Sequence, residues 1–290
     1  MKGIIVEKRT LTIKDSSYAF ILSFVLGQLA LVFFAMVGLL VCKIKGIEQS
    51  AFYTFTEKGL GYLISTIVLN FIFVIMFFTF RHKKEDTIAQ KINPLKLLIY
   101  ALVAVVAYFM LYPIIVSFNQ LFKIESTVIE FSTADYIYAV FSMVLIPAIC
   151  EELLFRGLIF KGLANTNKAF AVCISAVMFS IFHMSSEQLL YPLLMGLLFG
   201  VIMARENNII YCIIVHIINN SLALAGVGFY FQHWAYYLVA VVMLITFLTT
   251  IILLMRKYFE KFKMEKSEWL TLTITLCIML AFWIIVAIVK

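Results

Sequence analysis

Ile149-Cys150-Glu151-Glu152-Leu153-Leu154-Phe155-Arg156-Gly157 sets two adjacent carboxylates and a guanidinium inside a run, 136–160, that is otherwise apolar. An isolated charged side chain near the centre of a bilayer costs roughly 2.5–3.5 kcal/mol on insertion scales, so three without partners would cost on the order of 8 kcal/mol. No structural role requires that penalty. The stretch is therefore the candidate working site of a membrane protein, and its partners are to be sought in other apolar segments.

The surrounding chain has the composition such a site needs. Of 290 residues, 64% are hydrophobic, 13% are charged and 28 are Phe; the mean hydropathy is +1.04. Soluble domains are close to half apolar. The expectation is an all-α fold, a polytopic transmembrane helical bundle. Crossing about 30 Å of hydrocarbon takes about 20 helical residues. That ruler gives about nine spans, at 17–42, 60–80, 97–118, 136–160, 169–183, 189–204, 209–225, 234–255 and 269–289. The fifth to seventh are short or closely spaced, which leaves eight as the alternative. The first run exceeds the roughly 7–15 residues of a signal-peptide core and no small-residue cleavage pattern follows it, so it is expected to stay as a helix.

Charge supplies the topology. The net charge is +7, but the basic residues sit in short clusters between apolar runs, which fits membrane anchoring and excludes nucleic acid as a partner. With nine spans, 18 of the 23 Lys and Arg fall on one side, in the N-terminal tail and at 81–96, 156–168, 205–208 and 256–268; Lys43, Lys45, Lys58, Lys123 and Lys290 fall on the other. This split predicts a multi-pass protein of the cell membrane with a cytoplasmic N-terminus. The clusters at 81–84 and 256–266 read as anchors against anionic headgroups, and the acidic insert Asn119–Asp135 as a solvated external loop. Five cysteines, none in a C-x-x-C pair, argue against a disulfide framework or a thiolate zinc site. No repeat or flexible linker divides the chain, so a single integral domain is expected, with N-terminal helices in 1–134, a core in 135–228 and C-terminal helices in 229–290.

Other polar residues also lie in apolar segments. The fifth span ends in Phe179-Ser180-Ile181-Phe182-His183, and the seventh contains His216-Ile217-Ile218-Asn219-Asn220-Ser221. Residues four apart share a helix face, so Glu152 goes with Arg156, Phe179 with His183 and His216 with Asn220. Glu151 and Glu152 point about 100° apart and should have different tasks. A lone buried His is usually a hydrogen-bonded core residue, and Asn70 and Gln28 read as interhelical glue. The combination of two Glu, an Arg, two His and an Asn within about 70 residues instead suggests a hydrolytic centre, a proton relay or a metal site.

The three motifs, E-E-x-x-x-R at Glu151, Glu152 and Arg156, F-x-x-x-H at Phe179 and His183, and H-x-x-x-N at His216 and Asn220, resemble the CPBP family of intramembrane CAAX-protease and bacteriocin-processing endopeptidases, also called the Abi family. The resemblance covers roughly 135–228 and makes that section the catalytic core. It implies hydrolysis of a peptide bond in a membrane peptide or lipidated protein. Glu151 would be the general base, His183 would help to hold the attacking water, and His216 and Asn220 would stabilise the oxyanion. Charge balance assigns Arg156 to neutralise Glu152. Without a cofactor this is a glutamate mechanism; the alternative is zinc held by Glu152, His183 and His216 with Glu151 as base. The absence of H-E-x-x-H and the closeness of Arg156 favour the former.

Depth raises a difficulty for this set. At 1.5 Å per residue, Glu151 lies about 15 Å from Lys161 and His216 about 10 Å from Ile209, but His183 lies about 22 Å from Lys168. Either the fifth span starts late or it tilts, and the site should open to the cytoplasmic half. Two other functional classes compete. A non-catalytic scaffold or regulator, in bacteriocin immunity or signalling, has no need of all six polar residues. A proton-coupled transporter calls for inverted repeats and broken helix pairs, which the chain lacks.

Overall fold

The helices that begin at Ile13, Pro94, Lys168 and Ile209 do so where the sequence supplies side-chain caps. The computed structural model describes residues 11–57, 59–80, 91–124, 132–226, 233–259 and 264–289. Helix α1 (Ile13–Lys45) starts in a capping box: Asp15 N donates to Thr12 Oγ1 at 3.2 Å, and Thr12 N to Asp15 Oδ2 at 2.9 Å. It ends at Gly46, whose φ of 66° is the left-handed conformation that glycine adopts without penalty. Helices α2 (Gln49–Glu57) and α3 (Gly59–Phe80) follow, and α4 (Pro94–Leu121) opens with Asn93 as cap and Pro94 in the first turn. Of the sequence features above, the Lys/Arg cluster at 81–84 and residues 125–131 of the acidic insert lie outside the described residues.

The charged stretch lies on one long interrupted helix. Helix α5 (Thr133–Ala139) runs into a π-helical segment, Val140–Leu145, then α6 (Ile146–Leu154), a second π segment, Phe155–Phe160, and the short α7 (Lys161–Ala164). Helices α8 (Lys168–Phe182), α9 (Leu190–Glu206) and α10 (Ile209–Leu224) complete the middle of the chain. Two asparagines make the turn between the last pair: Asn207 takes the left-handed C-cap position of α9, and Asn208 accepts from Ile210 N at 3.1 Å as N-cap of α10. Helices α11 (His233–Met255) and α12 (Lys266–Val289) follow.

All nine apolar segments are helical, and the all-α bundle is as expected. Among the described residues, six helices are long and apolar enough to cross a membrane: Ile13–Lys45, Gly59–Phe80, Pro94–Leu121, Asp135–Ala164, Trp234–Tyr258 and Lys266–Ile284. The other three, α8, α9 and α10, have 15, 17 and 16 residues, which at 1.5 Å each is less than about 30 Å. Helices α8 and α9 and the wholly buried segment Phe155–Phe160 are the most enclosed of the described elements. Helix α9 is buried along most of its length.

Close approach of α8 and α9 comes from Gly196 and Gly200, four apart on one face. A Cβ at Gly196 would lie 3.0 Å from the Cα of Ala176, and one at Gly200 would lie 3.1 Å from the Cα of Val172. Small residues at this spacing let helix backbones touch where lipid offers no hydrophobic drive to association. The end of the bundle that holds α7 is tied by hydrogen bonds. Ser16 Oγ donates to Ile159 O at 3.0 Å, Asn165 Nδ2 to Leu11 O at 2.6 Å, Asn93 N to Tyr211 Oη at 2.9 Å, and Asn167 Nδ2 to Tyr258 O at 3.2 Å. Residues 11–16, 93–96, 159–168, 204–211 and 258 thus gather at one end, with Lys96, Lys168 and Arg205 of the larger charge set among them. Asn70 and Gln28 are not interhelical glue: the Asn70 amide bonds Thr66 O of its own helix at 2.9 Å, and Gln28 is exposed.

Candidate active site

Glu152 lies at the centre of the polar cluster. It is fully buried, and its Oε1 accepts from Arg156 Nη1 at 3.0 Å and from His216 Nδ1 at 3.1 Å. The first contact is intrahelical, one turn along; the second joins α6 to α10. Arg156, equally buried, also donates from Nη2 to Gly196 O at 3.3 Å, and its guanidinium lies over the rings of Phe179 and Phe199 at 4.7 and 4.9 Å. A buried cation is tolerable only with such partners, and aromatic faces are among the few that an apolar segment can supply. The pair is not saturated, since Glu152 Oε2 and Arg156 Nε are buried without a hydrogen-bond partner.

Glu151 faces a different environment, as the 100° offset requires. Its side chain is 17% exposed, against none for Glu152, and its Oε2 is 3.9 Å from His216 Nε2. One imidazole therefore stands between the two carboxylates. A carboxylate only accepts hydrogen bonds, so Nδ1 carries the hydrogen toward Glu152 and Nε2 is turned toward Glu151. The His216 ring is held by stacking on Phe199, with centroids 4.9 Å apart and planes at 27°, and by the edge of Phe179 at 5.9 Å.

His183 is brought less close. It caps the end of α8, with Nδ1 at 2.8 Å from Phe179 O of its own last turn, and its ring meets Phe179 edge-on at 4.9 Å. Its connection to the cluster runs through that ring, which also touches His216 and Arg156. Helix α8 starts at Lys168, capped by Asn167, so a late start does not account for the depth of His183.

Asn220 is held by the main chain of the helix that carries the glutamates. Its Nδ2 donates to Met143 O at 3.0 Å, and its Oδ1 accepts from Asn219 Nδ2 at 3.2 Å. Pro147 has no N–H to offer the carbonyl four residues before it, which is that of Met143, and the Asn220 amide is a donor for that oxygen. Asn219 in turn accepts from the Tyr191 hydroxyl of α9. Tyr191, Asn219, Phe199 and Gly196 were not singled out from the sequence. Gly196-Leu197-Leu198-Phe199-Gly200 spacing and a proline four residues after Met143 were the signals available for part of this set.

Residues 133–222 match the Rce1-like family, the type II CAAX prenyl endopeptidases. No curated protein and no solved structure gives a match. The CAAX-protease family read from the three motifs is the one matched, and the Rce1-like segment extends from the start of α5 into α10, containing all six predicted site residues. The family match and the six long apolar helices make this an integral membrane protein whose Rce1-like segment is of a protease family. The zinc set does not fit the geometry. Among the described residues no three His, Cys, Asp or Glu side chains are placed to hold a metal ion. Glu152 Oε1 is shared by Arg156 and His216, and His183 Nδ1 faces its own helix.

Proposed function

We propose that the protein is an intramembrane endopeptidase whose substrate is a membrane peptide or a lipidated protein, with Glu151 as the general base. The observation that carries the reading is the position of His216 between the carboxylates, 3.1 Å from Glu152 and 3.9 Å from Glu151. The attacking water is assigned to Glu151 Oε2, beside His216 Nε2. Its oxygen adds to the scissile carbonyl carbon while its proton passes to Glu151; the proton then goes to the departing amine nitrogen as the C–N bond breaks, leaving a carboxylic acid and an amine. His216, its Nδ1 fixed by Glu152, donates to the oxyanion when Nε2 also carries a hydrogen. Asn220 has a second amide hydrogen beside the one given to Met143 O, and it supplies the other donor. His183, whose Nδ1 is engaged by Phe179 O, is assigned to holding the water through its free Nε2. Arg156 pairs with Glu152 and holds its carboxyl in place.

Prenyl-dependent processing of a C-terminus, maturation of a bacteriocin or pheromone, and membrane signalling are all compatible with this chemistry. The N-terminus is assigned to the cytoplasm, and the site to the cytoplasmic half of the membrane, from the charge split between the two ends. The deciding experiment is cleavage of a panel of membrane peptides by purified protein in liposomes. Glu151→Gln is expected to lower the rate by about 10²–10⁴, the usual weight of a general base, at unchanged expression, while a strong zinc chelator has no effect. Loss of cleavage with the chelator would revive a metal mechanism. Parent protein that cleaves nothing, with a cellular phenotype retained by the variant, would favour the scaffold.

A further inference from the structure

A second polar site lies at the basic end of the bundle, away from the glutamates. Arg205, at the end of α9, and Leu253, Leu254, Arg256 and Lys257, at the end of α11, line one cavity of about 540 Å³. Three cations in one cavity repel one another and need anionic company. Among the described residues none of the three makes an ion pair with a carboxylate. Glu206, adjacent in sequence to Arg205, is already committed, accepting from Lys96 Nζ at 2.6 Å and from the Tyr100 hydroxyl at 2.8 Å.

The scaffold around the cavity is pinned rather than loose. Tyr258 Oη and Lys168 Nζ both donate to Ala204 O, at 3.1 and 3.3 Å, and Asn167 Nδ2 donates to Tyr258 O at 3.2 Å. Lys257 Nζ lies over the Tyr258 ring at 4.8 Å. The ends of α9 and α11 and the start of α8 therefore meet around one carbonyl, which fixes the backbone from which the three exposed cations project. Below them, Leu253 and Ile252 are 63% and 57% exposed and continue along the outward face of α11. That helix is one of the six long enough to cross a membrane.

We infer that this cavity is a binding site for an anionic phospholipid, its phosphate among Arg205, Arg256 and Lys257 and an acyl chain along Leu253 and Ile252. The apolar wall selects a lipid over a free anion, because inorganic phosphate would gain nothing from it. The position at the end of a spanning helix sets the phosphate at headgroup depth, and the larger share of Lys and Arg at this end suits the leaflet richer in anionic lipid.

The test is titration of the purified full chain in detergent with short-chain phosphatidylglycerol, phosphatidylcholine or inorganic phosphate, read by native mass spectrometry. Phosphatidylglycerol is expected to bind at least tenfold tighter than phosphatidylcholine and to resist displacement by millimolar phosphate. Each cation removed should weaken it about fivefold, so that R205Q/R256Q/K257Q loses about a hundredfold. K43Q/K45Q, at the opposite end of α1, should leave binding within twofold. R256Q alone serves if the triple variant does not fold. Equal affinity for the two lipids, displacement by phosphate, or an equal loss in K43Q/K45Q would each overturn the site, the last by reducing it to diffuse charge.

Discussion

Arg156 shows how much one side chain is asked to do in an apolar medium. It balances Glu152, bonds Gly196 O of α9 and lies between two phenylalanine rings. Removing one partner of a buried ion pair costs about 3–5 kcal/mol, because the other charge is left uncompensated. Arg156→Met is therefore expected to lower the unfolding free energy in detergent by about that amount, and Glu152→Leu combined with it to recover most of the loss. A double variant no more stable than the single one would mean that packing, not charge, dominates here. The sequence made this pair legible, since the i, i+4 spacing alone predicts it. It did not reveal that His216 joins the same carboxylate oxygen, because that contact closes 64 residues of chain.

At the scale of elements, the interruptions of the glutamate-bearing helix decide where its side chains point. π-helical turns lie on both sides of α6, a feature common at functional sites. With Pro147 unable to donate to Met143 O, the Asn220 amide makes that contact and ties α10 to this helix. Pro147→Ala restores an N–H and a better helix former. It is expected to leave thermal stability unchanged or raised while cleavage falls, as Glu151 shifts relative to His216; cleavage that stays at the parental rate would remove the bulge from the mechanism. Helices α8 and α9 offer a packing test. Gly196→Ala places a methyl 3.0 Å from Ala176 Cα. Overpacking costs about 1–3 kcal/mol against a gain of about 1 kcal/mol in helix propensity, so a lower melting temperature is expected. A melting temperature at or above the parent's would show that the interface can yield.

For the whole molecule, the described contacts collect the start of α1, the start of α4, α7, the turn between α9 and α10 and the end of α11 at one end. Among the described residues, Lys96, Lys168, Arg205 and Lys257 of the larger charge set lie at or beside these contacts. The proposed orientation predicts that, in an otherwise cysteine-free protein, K45C reacts with a membrane-impermeant thiol reagent from outside intact cells. R256C should react only after permeabilisation. The reverse pattern would invert the topology and move the site to the other half of the membrane. The three short helices α8, α9 and α10 fall below the length that a fixed ruler of about 20 residues expects of a span.

The sequence by itself determined the all-α membrane class, the nine apolar helices and the CAAX-protease resemblance. All of these rest on composition or on spacings within one helix. The tertiary structure decided which polar groups meet: Glu152 with both Arg156 and His216, Asn220 with a main-chain carbonyl and with Asn219, and His183 with the cluster only through Phe179. It also decided the approach of Gly196 to α8 and the gathering of Arg205, Arg256 and Lys257 into one cavity. Each of these contacts except the Glu152–Arg156, Phe179–His183 and Asn219–Asn220 pairs closes a long loop of chain or joins separate helices, so periodicity in sequence carries no trace of it.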